Sequence, residues 1–143
     1  MIDEKREYVG RYISQIYRKG NSFITKEISE FSIGSGQIMF LIQLYKQDGI
    51  SQEELSEILN IDKGATCRAI KKLEEEGFLI RVKDENDKRA YKLYLTEKSK
   101  NLEDKIKSVI YKWEKNLSKE LSQEELITLT TLLKKICINQ NIK

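Results

Sequence analysis

Apolar side chains recur at helical spacing along most of the chain. The first such pattern, from Glu4 to about Gly20, predicts an amphipathic helix. Its apolar positions are Val9, Tyr12, Ile13, Ile16 and Tyr17. A second apolar stretch up to Ile28 either continues this helix or bends it at Gly20. From 37 to 47, apolar side chains lie on nearly every side of the predicted helix, as expected of a helix at the centre of a domain.

Residues 51–77 predict two short helices joined by a tight corner. Ser51 and Glu54 have the spacing of a capping box at the start of the first helix, which ends near Asn60. Asp62 is the predicted N-cap of the second helix, because its carboxylate accepts hydrogen bonds from the first free amide groups. The segment therefore reads as a helix-turn-helix.

A β-hairpin is predicted directly after the second helix. Leu79 to Lys83 and Ala90 to Leu95 alternate as strands do, and the polar residues 84–89 between them indicate a turn. The alternation places one face of the hairpin on the helices and leaves the other in water. A hairpin in this position is a wing.

The segment after the wing predicts two further helices, capped by Thr96 and by Ser122. Their apolar stripes, together with that of the first helix, exceed what a compact winged helix of about 70 residues can cover. The stripe positions are Leu102, Ile106, Val109, Ile110, Trp113, Leu117, Leu126, Leu129, Leu132, Leu133, Ile136 and Cys137. We expect a two-fold homodimer built from the first and last helices; the alternative is a monomer whose long helices fold back onto their own core.

The second helix of the helix-turn-helix is basic. It carries four cations and no carboxylate between Lys63 and Leu73, whereas the preceding helix carries three glutamates. A helical wheel places Thr66 and Lys63 toward the packed side. The small residues Gly64 and Ala65 would let the helix approach base edges, which is typical of a recognition helix in the major groove. The alternative is a basic face that contacts only water. The adjoining wing favours a DNA-binding role for this helix.

The wing adds cations placed to contact phosphates or the minor groove. We predict double-stranded DNA as the partner, with Arg68, Lys71 and Lys72 as the main helix contacts. Asp87 is predicted to hold Arg89 or the turn in place. The full predicted DNA-binding set is Lys63, Gly64, Ala65, Thr66, Arg68, Lys71, Lys72, Lys83, Asp87, Lys88 and Arg89.

Composition excludes several enzyme classes. The chain contains no histidine, so a Ser-His-Asp triad, a Cys-His pair and a His-ligated zinc site are all impossible within it. No glycine-rich phosphate loop is present, since residues 34–36 lack the required lysine and preceding strand. The sequence predicts a protein that is not an enzyme, with no catalytic residue, no metal and no cofactor.

Length and charge give the domain organisation. A chain of 143 residues suits one domain, 1–143, of mainly α structure with a small β-hairpin wing (α+β). Within it we expect a DNA-binding lobe at 36–96 and dimerisation helices at 1–33 and 97–143. The net charge of +3 is too small to indicate nucleic acid by itself, so local clustering carries that argument. The absence of a long apolar run, and two cysteines without metal-like spacing, predict a cytoplasmic protein without membrane insertion.

The wing and its exit resemble the MarR (multiple antibiotic resistance regulator) family of winged-helix transcription factors. The family's Asp-x-Arg-x-x-x-Leu-x-Leu-Thr signature is met at every specified position. Those positions are Asp87, Arg89, Leu93, Leu95 and Thr96. The run from Leu55 through Arg68 and Leu73 to Gly77 is similar to its helix-turn-helix, and Gln37 has a familiar place. Ala65 and Cys67 depart from it, since many relatives carry Ser or Thr there.

The resemblance implies a homodimer bound to a pseudo-palindromic operator, commonly as a repressor released by a small ligand or by oxidation. It also suggests a pocket where the long helices meet the winged helix, with core packing as the alternative role for its residues. Aromatic candidates for that pocket are Tyr12, Tyr17, Phe40, Tyr45 and Trp113. The oxidation-sensing branch carries its reactive cysteine in the first helix, where this chain has none, so we expect ligand control.

The leading hypothesis is a dimeric, sequence-specific DNA-binding repressor with a small-molecule effector. The alternative is a winged-helix module whose apolar terminal helices bind another protein, without sequence-specific DNA binding. Salt dependence distinguishes them, because DNA binding through phosphate contacts weakens steeply as salt rises.

Overall fold

A computed structural model describes residues 5–142. Six α-helices and one antiparallel hairpin make up this part of the chain, which confirms the predicted mainly helical winged fold. The elements are α1 (Val9–Glu27), α2 (Ser35–Lys46), α3 (Gln52–Leu59), α4 (Lys63–Glu75), β1 (Leu79–Lys83), β2 (Tyr91–Leu95), α5 (Glu97–Ser118) and α6 (Gln123–Asn139), with a short 3₁₀ turn at Ser29–Phe31. The predicted helix start at Glu4 lies outside the described residues, and residues 5–8 are not helical.

Local capping sets the bounds of the two short helices. The Ser51 hydroxyl accepts from the Glu54 amide at 3.1 Å, and the Asp62 carboxylate accepts from the Ala65 amide at 2.7 Å. Asn60 ends α3 in the left-handed conformation, with φ of 53°. The Glu54 carboxylate bonds the Ser51 hydroxyl rather than its backbone amide, so only half of the predicted capping box forms.

The hairpin is attached to the helices along β2. In the antiparallel register, Leu79 pairs with Leu95 and Lys83 pairs with Tyr91. The alternate residues Leu93 and Leu95 of β2 are buried, so this face of the hairpin packs on the core. On its other edge, β2 bonds the segment before α3: the Leu93 amide donates to the Ile50 carbonyl at 2.9 Å. The wing is therefore fixed to α3 at its base.

The core lies between α2, α4, α5 and the hairpin. α2 is central as predicted: it packs against α1, α3, α4, α5 and β2. The largest fully buried side chains are Ile28, Phe40, Leu41, Leu44, Leu55, Ile70, Leu73, Phe78, Leu79, Leu93, Ile106 and Val109. This core holds the helix-turn-helix and the wing in one unit.

α1 runs through Gly20 without a break, which settles the two predicted alternatives in favour of a continuous helix. Gly20 is buried where α1 crosses α5, and a Cβ atom there would lie 2.8 Å from Cε2 of Trp113. The Trp113 ring also packs on Phe23, with ring centroids 5.7 Å apart. The glycine is needed for close approach between two helices.

Gly20→Ala is expected to lower the free energy of unfolding by about 1–2 kcal/mol, since overpacking outweighs the better helix propensity of alanine. The matched control is Gly36→Ala in α2, where nothing lies within 4 Å of the added Cβ. Denaturant titration followed by fluorescence of Trp113, the single tryptophan, measures both variants. Equal stability of the two variants would contradict the close contact.

The terminal helices leave their apolar faces uncovered. α6 has no buried residue, although both halves of its Ser122/Glu125 capping box form as predicted. Hydrogen bonds from Ser122 lower the pKa of the Glu125 carboxyl. The exposed large apolar side chains of α1 and α6 are Val9, Tyr12, Ile13, Ile16, Tyr17, Ile127, Leu129, Leu132, Leu133, Ile136 and Ile138. Among residues 5–142, α6 contributes no buried side chain to the core, whereas α1 packs on the core through Phe23 and Ile24 and leaves the apolar side chains of its first half exposed.

Candidate nucleic-acid interface

One side of α4 is exposed and basic. Arg68, Lys71 and Lys72 are all solvent-exposed, as is Gly64 at the start of the helix. The Arg68 guanidinium lies back over Gly64, with Nη1 3.4 Å from the position a Cβ atom would take there. Ala65 is half-buried. The predicted reading side of α4 is thus open apart from Ala65.

Thr66 is placed differently from its neighbours in the predicted set. It is 1% exposed on the packed side of α4, and its hydroxyl oxygen has no hydrogen-bond partner within residues 5–142. We therefore remove Thr66 from the exposed surface. The helical wheel indicated this burial, because Thr66 shares a side with the buried Ile70 and Leu73.

The helical wheel placed Lys63 toward the packed side, but the structure places it in solvent. Its side chain is 81% exposed, and Nζ lies 3.4 Å from a carboxylate oxygen of Glu53 on α3. Lys63 is the first residue of α4 and extends past the end of the core, so the periodicity that applies within the helix does not bury it. An exposed pair of this kind contributes little to stability.

The wing turn is built by backbone bonds to aspartates. Asp87 accepts from the Arg89 amide at 3.0 Å through its carboxylate, and from the Ala90 amide at 2.9 Å through its carbonyl. Of the two predicted roles, Asp87 therefore holds the turn. The Arg89 guanidinium makes no hydrogen bond or ion pair with any residue from 5 to 142. Lys83, at the end of β1, and Lys88, next to Arg89 in sequence, are also exposed.

A cleft of about 370 Å³ joins the wing to the helix-turn-helix. Its lining includes Lys63 and Glu53 on one side and Asp87, Arg89 and Tyr91 on the other. We call those cations of the predicted DNA-binding set that are exposed on α4 and the wing the basic surface. It consists of Lys63, Arg68, Lys71, Lys72, Lys83, Lys88 and Arg89.

Arg81 is a residue of the interface that the sequence reasoning missed. Its Nε lies 3.3 Å from each carboxylate oxygen of Glu74, and its guanidinium carbon lies 5.0 Å from the centre of the Tyr91 ring. The side chain is 29% exposed. It ties β1 to the last turn of α4, which fixes the wing relative to the helix. A cation on the inward side of a strand was the available signal.

The five aromatic residues predicted for a ligand pocket occupy different environments. Phe40 is buried in the core, Trp113 packs on Gly20 and Phe23, and Tyr12 and Tyr17 are exposed on α1. The Tyr45 hydroxyl donates to the Ser99 carbonyl at 2.6 Å. Burial, with a smaller effect of Glu103, raises the pKa of Tyr45 to about 12. None of the five lines the cleft beside the wing.

Neither cysteine is in a disulfide. Cys67 is exposed on α4 and Cys137 is half-buried on α6.

Among residues 5–142, none of the helices combines the length and apolar character required to cross a bilayer.

A helix-turn-helix with an exposed basic second helix, followed by a hairpin with an exposed arginine, defines a winged-helix DNA-binding protein. Comparison with known proteins makes the assignment more specific. The MarR family profile matches residues 33–91. The HTH-type transcriptional regulator BilQ of Clostridium symbiosum is 33% identical over 126 residues, which cover 87% of this chain and 88% of that protein.

Two solved structures agree with this match. A MarR transcriptional regulator from Methanosarcina mazei Go1 is 43% identical with a TM-score of 0.87, covering 94% of this chain and 97% of that one. A putative MarR family transcriptional regulator from Listeria monocytogenes, complexed with 26mer DNA, is 32% identical with a TM-score of 0.87, covering 94% and 89%. The chain belongs to the MarR family, which confirms the resemblance seen in the wing. It is a transcriptional regulator and not an enzyme.

Proposed function

We propose that this MarR-family regulator is a homodimer that represses transcription from a pseudo-palindromic operator and is released by a small ligand. The observation that carries DNA binding is the basic surface. Its exposed cations lie on α4 and on the wing that follows, and except for Lys63, which pairs with Glu53, they make no ion pair with residues 5–142. The relative from Listeria monocytogenes crystallised with 26mer DNA, and a MarR variant from E. coli crystallised with operator DNA, support the same partner.

The terminal helices support the two-fold arrangement. No other part of residues 5–142 covers the exposed apolar side chains of α1 and α6. Exposed apolar patches of this extent mark interaction surfaces. A dimer through residues 1–33 and 97–143 would place two lobes, each formed by 36–96, about one duplex turn or roughly 34 Å apart. A symmetric site then doubles every contact.

Salt titration tests the DNA-binding proposal. Genomic footprinting with the purified protein supplies the operator, and its affinity is then measured over a range of salt concentrations. We expect the logarithm of affinity to fall with the logarithm of salt with a slope of several units, at about 0.9 per phosphate contact. A scrambled duplex of equal length is the control. Equal affinity for both duplexes, or a slope near zero, would contradict the proposal.

A second candidate, a protein-interaction module, is favoured by one observation: α6 presents apolar side chains along much of its length. The same titration separates the two, because a protein partner bound by an apolar face would not be displaced by moderate salt.

Ligand control would act by changing the distance between the two lobes. Trp113, at the crossing of α1 and α5, would report it as a change in fluorescence on addition of an effector.

A further inference from the structure

The end of α4 is held by side chains from the start of α5. Lys98 Nζ donates to the Glu76 carbonyl at 2.6 Å, and Thr96 Oγ1 donates to the Gly77 carbonyl at 2.7 Å. The Ser99 hydroxyl donates to the Phe78 carbonyl. Three consecutive backbone carbonyls beyond the recognition helix thus accept from three side chains of one other helix.

The three carbonyls lie beyond the backbone hydrogen bonds that end α4. α4 ends in a Schellman motif: the Phe78 amide donates to the Leu73 carbonyl at 2.8 Å, the Gly77 amide donates to the Glu74 carbonyl at 3.0 Å, and Gly77 has φ of 80°. That motif satisfies the carbonyls inside the helix. Of the next three carbonyls, that of Phe78 also accepts from the Thr96 amide at 3.2 Å, whereas those of Glu76 and Gly77 accept only from side chains of the α5 start among residues 5–142.

The contact is partly dry and continues into the core. Ser99 and Phe78 are both fully buried, and Lys98 Nζ lies 4.3 Å from the centre of the Phe78 ring. The start of α5 is itself fixed by α2, because the Tyr45 hydroxyl bonds the Ser99 carbonyl. The buried Ser99 bond, the exposed but charge-assisted Lys98 bond and the attachment of Ser99 to α2 together resist bending at this corner.

We propose that Thr96, Lys98 and Ser99 are positioning residues that make α4 and the start of α5 one rigid unit. We call this set the α5 clamp. α5 is 22 residues long, about 33 Å at 1.5 Å per residue. A change in its tilt, set at the Trp113 and Gly20 crossing, is therefore transmitted to Arg68 and the rest of the basic surface. The inference rests on the proposed function, since it names the residues through which control of the two lobes would act.

The chain provides its own pair of probes for this unit. Trp113 lies on α5, and the exposed Cys67 lies on α4; Cys137→Ser removes the second thiol. An acceptor dye on Cys67 then allows time-resolved energy transfer from Trp113 within one chain. An excess of unlabelled Trp113→Phe protein suppresses transfer between partners. The width of the distance distribution measures how rigidly α4 is held to α5.

We expect a narrow distribution in the parent protein and in Thr96→Ser, which keeps the hydroxyl. Thr96→Val and Lys98→Met should broaden it, since each removes one clamp bond. Lys98→Met leaves the N-cap of α5 intact, so it separates the clamp from helix capping. The matched control is Lys100→Met, which removes a charge two residues away whose one ion pair within residues 5–142 is with Glu97 at 3.7 Å.

Operator affinity of the unlabelled proteins supplies the second measurement. Thr96→Val and Lys98→Met should each weaken binding by about two- to tenfold, because a looser α4 must be ordered on DNA. Thr96→Ser and Lys100→Met should bind as the parent does. Equal distribution widths in all variants would overturn the clamp. A parent protein that binds no operator while the widths differ as expected would overturn the proposed function and leave the clamp standing.

Discussion

Arg68→Ala is expected to lower operator affinity by about 30-fold or more. Loss of a base-edge contact by arginine costs about 1–3 kcal/mol, and a dimer loses it twice. Because 1.4 kcal/mol corresponds to about tenfold in affinity, even the lower limit gives this factor. Arg68 is exposed and its guanidinium lies over Gly64, so its removal leaves no buried group unpaired and the melting temperature should stay unchanged.

Arg89→Ala tests the wing in the same assay, since its guanidinium has no partner among residues 5–142 and is available for a phosphate or the minor groove. Fluorescence anisotropy with the footprinted operator gives the affinities. Lys119→Ala is the matched control: it also removes one exposed positive charge, but at the far end of α5. Parent-like affinity in both arginine variants would show that the basic surface is not the DNA-binding surface.

Leu133→Glu is expected to convert the dimer to a monomer at micromolar concentration. Leu133 is 40% exposed in the middle of the apolar face of α6, and a two-fold axis would bury two of the new carboxylates without partners. Each uncompensated buried charge costs several kcal/mol, which exceeds what a dimer of ordinary affinity can lose. Analytical ultracentrifugation measures the change, and operator affinity should fall with it.

Thr131→Glu provides the matched control for that variant. It lies two residues away, about 200° around α6 and therefore on the side opposite Leu133. The same charge introduced there should leave the protein dimeric. If Leu133→Glu sediments as the parent does, the apolar face of α6 is not the interface, and the protein-interaction reading gains support.

The bounds of α3 and α4 were predictable because they depend on adjacent residues. Ser51 and Asp62 cap their helices through bonds that span three positions, and any chain with this local sequence would form them. The side of α4 that faces water was predictable as well, because helical periodicity assigns Arg68 and Lys71 opposite to Ile70 and Leu73. The wheel departs from the structure at Lys63, which is exposed at the start of the helix, and at Ala65, which is half-buried.

Other features depended on distant parts of the chain. The sequence left open whether the first helix continues or bends at Gly20. The helix continues, and the glycine allows close contact with Trp113, which lies 93 residues later in the chain. Arg81 could not be assigned a role, because its partner Glu74 is brought near by the turn at Gly77. The aromatic residues suggested one pocket, yet packing places Phe40 in the core and Tyr17 in water.

The sequence by itself determined that this protein has a helix-turn-helix with a basic second helix, a wing and apolar terminal helices, since caps, periodicity and turn residues act over a few positions. Only the tertiary structure decided that α6 contributes nothing to its own core and that α4 is held at its end by Thr96, Lys98 and Ser99. Those contacts join residues about twenty or more positions apart. Their formation depends on how whole helices pack, which no local pattern of side chains encodes.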